Sequence, residues 1–139
     1  MEASPNPPAA PNPPGSPEPA LPAAAIAAAV RALDANDRRV GIGPREGLAL
    51  RVAKVAEECG EASAALIGLR GQNPRKGRSS EEELVDELLD VALSALVAAA
   101  SLTGDWAGRF TAHVSARTAR LTAAVDHADR DQADCPPAR

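Results

Sequence analysis

Aromatic side chains are nearly absent from this chain: it has no tyrosine, one tryptophan and one phenylalanine in 139 residues. A core must therefore be built from aliphatic residues, and Trp106 and Phe110, near the start of a helical segment, are expected to fill it rather than to stack on a base. Cysteine is just as scarce, with two residues. Cys59 lies inside a helical pattern and Cys135 in a proline-containing polar tail, so no structural disulfide is expected. By helical angle Cys59 points toward the apolar stripe and reads as a packing residue, not a nucleophile. Neither of the two histidines, His113 and His127, follows a glutamate by three residues, which speaks against the Glu-x-x-His pairs of a ferritin-like di-iron site. No window approaches the roughly 18 uninterrupted apolar residues of a membrane span. The first residues also lack the basic start of a signal peptide. The expectation is a soluble, cytoplasmic protein with no membrane partner. A net charge of −4 argues against broad nucleic-acid binding. No strand-like alternation occurs, which leaves an all-α fold.

What the chain does have is unevenly placed. Nine of the 13 prolines fall in residues 1–22, a segment without apolar periodicity that is expected to be a disordered or polyproline-like tail. Residues 23–130 carry the helical patterns of one small domain, and 131–139 form a flexible tail. A first helix, over about 22–38, places Ile26, Val30 and Leu33 at helical spacing. Val40-Gly-Ile-Gly-Pro44 stops it. The second runs from about 44 to 70 with Leu48, Val52, Val55, Cys59, Ala62, Leu66 and Leu69 in a heptad-like stripe. After a glycine-bounded loop, Ser80 and Glu83 fit a capping box at the start of a third helix, 81–102. A fourth follows over about 105–129. The third helix is apolar around much of its circumference, which implies burial against other copies of the chain, a homodimer or homotetramer.

Two acidic pairs carry the chemistry. Glu58-x-x-Glu61 and Glu87-x-x-Asp90 each lie inside an apolar helical pattern, 26 residues apart from Glu61 to Glu87. Residues three apart share a helix face. At about 100° per residue, Glu58 and Glu61 fall about 60° and 120° from Val55, and Glu87 and Asp90 take the same offsets from Leu84. If the second and third helices form an antiparallel hairpin, four carboxylates converge on one groove. Such a cluster repels itself unless a cation holds it. A single Glu-x-x-Glu is commonplace on solvated helix faces, so the signal lies in two matched copies that both flank core stripes.

Lys54-Val-Ala-Glu57-Glu58-Cys-Gly-Glu61, followed after a basic loop by Glu83-Leu-Val-Asp-Glu87-Leu-Leu-Asp90, resembles the double signature of the MazG-like nucleotide pyrophosphohydrolases, over roughly residues 45–121. The resemblance implies that Glu58, Glu61, Glu87 and Asp90 bind Mg²⁺. It further implies that a nucleoside triphosphate is cut between its α and β phosphates to give the monophosphate and pyrophosphate, and that Glu57 assists the attacking water. Mg²⁺, with Mn²⁺ as a substitute, suits a set made only of carboxylates. By position, either Glu57 or Glu61 would orient or deprotonate the water.

Cationic partners for a triphosphate are present. Lys54 lies one turn before Glu58 on the same flank, and Arg75, Lys76 and Arg78 extend from the loop between the two acidic helices. Asn73, in the same loop, is a further candidate for contact with sugar or phosphate. The alternative is a non-catalytic helical module that senses nucleotides or binds proteins while keeping the acidic motif. Retention of all four carboxylates favours the enzyme.

Overall fold

The computed structural model describes residues 22–72 and 77–133, and within them all regular structure is helical: α1 (Ala23–Val40), α2 (Pro44–Leu69), α3 (Glu81–Leu102) and α4 (Trp106–Ala133). Nearly all of the expected proline-rich tail, most of the C-terminal tail, and Asn73, Arg75 and Lys76 lie outside the described residues. Local sequence sets the helix ends. Gly41 terminates α1 in the left-handed region at φ 79°, where a side chain would be strained. Pro44 opens α2 at a position where a missing N–H costs nothing. At the start of α3, Ser80 Oγ accepts from the Glu83 N–H at 3.1 Å, and Glu83 Oε2 accepts from the Ser80 N–H at 2.7 Å. The expected capping box is therefore complete.

α2 packs most closely against α3. Near the start of α2, Arg51 Nη1 donates to Ser101 Oγ at 2.8 Å, at the far end of α3. At the other end, Gly68 lies so close to Ser79 that a Cβ on it would sit 2.5 Å from the serine Oγ. Contacts at these two ends make the pair an antiparallel hairpin.

The seam between them differs from the expected stripe. Besides the glycines Gly47 and Gly68, the shielded positions on α2 are Leu48, Arg51, Val55, Glu58, Ala62, Ala65 and Leu69, while Val52, Cys59 and Leu66 face outward. Cys59 is exposed, contrary to the packing role expected of it. Arg51 and Glu58 are charged, so an apolar stripe falls instead on the neighbour one residue on in each heptad. On α3 the matching shielded positions are Leu84, Glu87, Val91, Ser94, Ala98 and Ser101. The seam is thus two lanes, each with a seven-residue period. One lane is apolar, made of Leu48, Val55, Ala62 and Leu69 with Leu84, Val91 and Ala98. The other is polar at every position but Ala65, made of Arg51 and Glu58 with Glu87, Ser94 and Ser101.

α1 lies across this hairpin. Ile26, Val97 and Trp106 form the buried cluster that joins α1, α3 and α4, as expected for Trp106. Phe110, also expected in the core, is exposed instead, because α4 packs only through its first turn and every residue from 108 to 125 faces outward. Polar contacts add to the join. Arg51 Nη2 pairs with Asp34 Oδ1 at 2.7 Å and Asp37 Oδ2 at 2.9 Å on α1, while its Nη1 holds Ser101 on α3. One guanidinium therefore ties three helices. Arg51→Met is expected to destabilise the protein by about 2 kcal/mol, less than for a fully buried pair because Asp34 is half exposed. Urea unfolding followed by circular dichroism measures it, and an unchanged midpoint would refute the tie.

Candidate metal centre

Glu58 stands in the polar lane and is 7% exposed, the one buried charged residue among those described. A carboxylate in that position needs a positive partner, because a helix seam cannot solvate it. Lys54, one turn earlier on α2, provides it: its Nζ lies 2.8 Å from Glu58 Oε1 and 3.1 Å from Glu57 Oε2. The bond to Glu58, then that to Glu57, raises the lysine pKa well above its ordinary value. The same bond to Lys54, and next a hydrogen bond with Glu61, lower the pKa of Glu58. Glu61 shifts the opposite way. Its hydrogen bond to Glu58 and then the charge of Glu58 raise its pKa above 4.5, and Glu87 adds to the repulsion. Of the two carboxylates, Glu61 is the easier to protonate.

Glu87 reaches the same point from α3. Glu58, Glu61 and Glu87 each offer an oxygen within 4.8 Å of the others. Oxygens on opposite sides of an octahedral Mg²⁺ are about 4 Å apart, so rotamer shifts of about 1 Å would bring the set onto one ion. Three oxygen donors with no nitrogen or sulfur suit a hard divalent cation. Asp90 is not part of this trio. It is exposed one turn further along α3 and lines, with Glu58, the wall of an adjoining cavity. Glu57 points to solvent beside Lys54. Arg78 is exposed, with its guanidinium against Gly71 in the loop rather than at the cluster.

The cavity went unforeseen. It occupies about 610 Å³ between α1, α2 and α3, is almost wholly apolar, and runs from Glu58 and Asp90 at one end to Asp37 and Gly47 at the other. Its one sequence signal was the seven-residue recurrence of polar residues, Arg51 with Glu58 and Glu87 with Ser94 and Ser101, at shielded positions. No protein-family model, curated protein or solved structure matches the chain.

Mg²⁺ is expected to raise the melting temperature, and Glu58→Gln or Glu87→Gln to remove that rise. Without metal, Glu87→Gln should itself stabilise the protein by relieving repulsion. The pH dependence has a definite sign. Glu61, with its raised pKa, contributes stability while protonated and loses it as pH climbs above 4.5 through its folded value. Mg²⁺ competes with protonation of Glu61, so its affinity should strengthen over the same rise, with protons released to the buffer. Calorimetry in buffers of different ionisation enthalpy would expose a pH-independent affinity, which this geometry does not allow.

Proposed function

We propose that this chain is a Mg²⁺-dependent nucleoside triphosphate pyrophosphohydrolase of the MazG-like kind, which hydrolyses a triphosphate to the monophosphate and pyrophosphate. The observation that carries this reading is the convergence of Glu58, Glu61 and Glu87 on one point at the end of a cavity of about 610 Å³, a volume typical of small-molecule sites. Glu58, Glu61 and Glu87 would hold the ion, with Asp90 entering as a fourth ligand or through water. When bound, the metal supplies charge neutralisation on the phosphate oxygens. Glu61 is the carboxylate whose raised pKa suits it to take a proton from the attacking water. Glu57 is close enough to Lys54 to share that task in the solvent-facing layer. The water oxygen bonds to phosphorus, the bond between the α and β phosphates breaks, and pyrophosphate leaves with the electron pair. Once a cation takes over Glu58, Lys54 keeps only its exposed pairing with Glu57 and can turn to neutralise the triphosphate. Asn73, Arg75, Lys76 and Arg78 remain candidates for the outer phosphates. On the surface, α3 exposes Val85, Leu88, Leu89 and Leu93, with Leu89 61% exposed, and α4 exposes Phe110, Val114, Leu121 and Val125 at helical spacing. These faces support a homodimer or homotetramer.

Pyrophosphate release from a panel of ribo- and deoxynucleoside triphosphates, with Mg²⁺ or with EDTA, tests the reading. Release should require the metal, and Glu58→Gln should reduce it by about a hundredfold or more while helicity is retained. Silence across the panel from folded protein would move the weight to a nucleotide-sensing role. In sedimentation experiments the chain should run as a dimer or tetramer, and Leu89→Lys should shift it toward monomer.

A further inference from the structure

We propose that the outward face of α3 is the docking surface for α4 of a second copy of this chain, exchanged reciprocally so that each copy's basic helix lies on the other's acidic one. The two helices are opposite in charge. α3 carries six acids and no basic residue, whereas residues 106–125 of α4 carry three arginines, one histidine and no acid. Both leave apolar side chains uncovered: Val85, Leu88, Leu89 and Leu93 on α3, and Phe110, Val114, Leu121 and Val125 on α4. The charges border these stripes. At about 100° per residue, Glu81, Glu82 and Asp86 fall within about 100° of Val85. On α4 the other apolar residues fall within about 60° of Phe110 on one side, and Arg109, His113, Arg117 and Arg120 within about 100° on the other. Among the described residues, Glu81, Glu82, Asp86, Arg109, Arg117 and Arg120 have no ion-pair partner. An apolar stripe edged by one charge fits an apolar stripe edged by the other, which selects the partner and fixes its register.

Register points to a second copy rather than to the chain's own α3. In an antiparallel pair with Val114 level with Leu89, Phe110 comes level with Leu93 and Arg117 with Asp86, and Arg120 lies beside Glu82. The chain's own α4 cannot reach this alignment. Only residues 103–105 join it to α3, so folding back would bring Val114 level with Ser94, about 7 Å out of register, where α3 turns to its seam with α2. Instead α4 packs through its first turn alone, and residues 108–125 stay exposed. A second copy is under no such constraint. Reciprocal exchange closes into a two-fold pair that makes the same contact twice and covers both apolar faces at once. The inference rests on the self-association proposed above and not on the hydrolase reading, since it uses none of the carboxylates of the candidate metal centre.

Charge reversal in the full chain, read by sedimentation velocity, tests the contact. Arg117→Glu with Arg120→Glu sets acid against acid, and Glu82→Lys with Asp86→Lys sets base against base. Each variant alone should self-associate at least about tenfold more weakly than the unaltered chain. Mixed in equal amounts, the two variants should form a heterodimer, because both of its contacts between α3 and α4 then join opposite charges. Circular dichroism checks that each variant is helical, and recovery on mixing is a result that misfolded chains cannot give. Folded variants that stay apart when mixed would overturn the exchange. A dimer whose affinity neither charge reversal changes would overturn this contact while leaving self-association through another face. An unaltered chain that is monomeric at every concentration would overturn the contact and the self-association together.

Discussion

A carboxylate inside a helix seam is the constraint on which the rest of this structure depends. Glu58 is shielded by the α2–α3 packing that holds the domain together, and burial of an ionised group costs several kcal/mol unless a cation or donor compensates. Lys54 compensates from one turn away, but it does so from a half-exposed position and with one charge for three acids. The hydrogen bond to Glu58 and the charge of Glu58 raise the pKa of Glu61 for that reason. The arrangement sets one lysine against three acids, an imbalance that a divalent ion would relieve. Strain of this kind belongs to sites rather than to scaffolds.

The division of the seam into two lanes explains how the fold tolerates this. Leu48, Val55, Ala62 and Leu69 meet Leu84, Val91 and Ala98 in a lane that needs no polar partner. Ala62, Ala65 and Gly68 are small and buried, so the helices can approach closely toward the loop end. The other lane is then available for function. Its lower end is closed by Arg51, whose bonds to Asp34, Asp37 and Ser101 neutralise charge and fix α1 over the groove. Its upper end is left with excess negative charge. One polar lane thus carries the Arg51 ion pairs at one end and a cluster of carboxylates at the other.

Much of this was legible in the sequence, and the failures have a common origin. Helix ends followed from Pro44, Gly41 and the Ser80–Glu83 pair because capping is a local matter. The convergence of Glu58, Glu61 and Glu87 followed from their spacing and from the antiparallel sense of a hairpin with a short loop. The orientation of α2 did not follow, since the search for an apolar stripe assumes that shielded positions are apolar. Val52, Cys59 and Leu66 fitted that assumption and are exposed; Arg51 and Glu58 violated it and are shielded. Phe110 was assigned to the core on size alone, but α4 leaves the bundle after its first turn. The pairing of Arg51 with Asp34 and Asp37 could not be found from α2 and α3 at all, because it depends on how α1 crosses them.

The shortage of aromatic rings bears on recognition rather than against it. Stacking of a base on an aromatic side chain contributes about 1–3 kcal/mol and barely distinguishes one base from another. A cavity walled by Leu33, Leu50, Leu93 and Val97 forgoes that contribution, so affinity for a nucleotide would come mostly from the phosphate end, where carboxylates, metal and Lys54 meet.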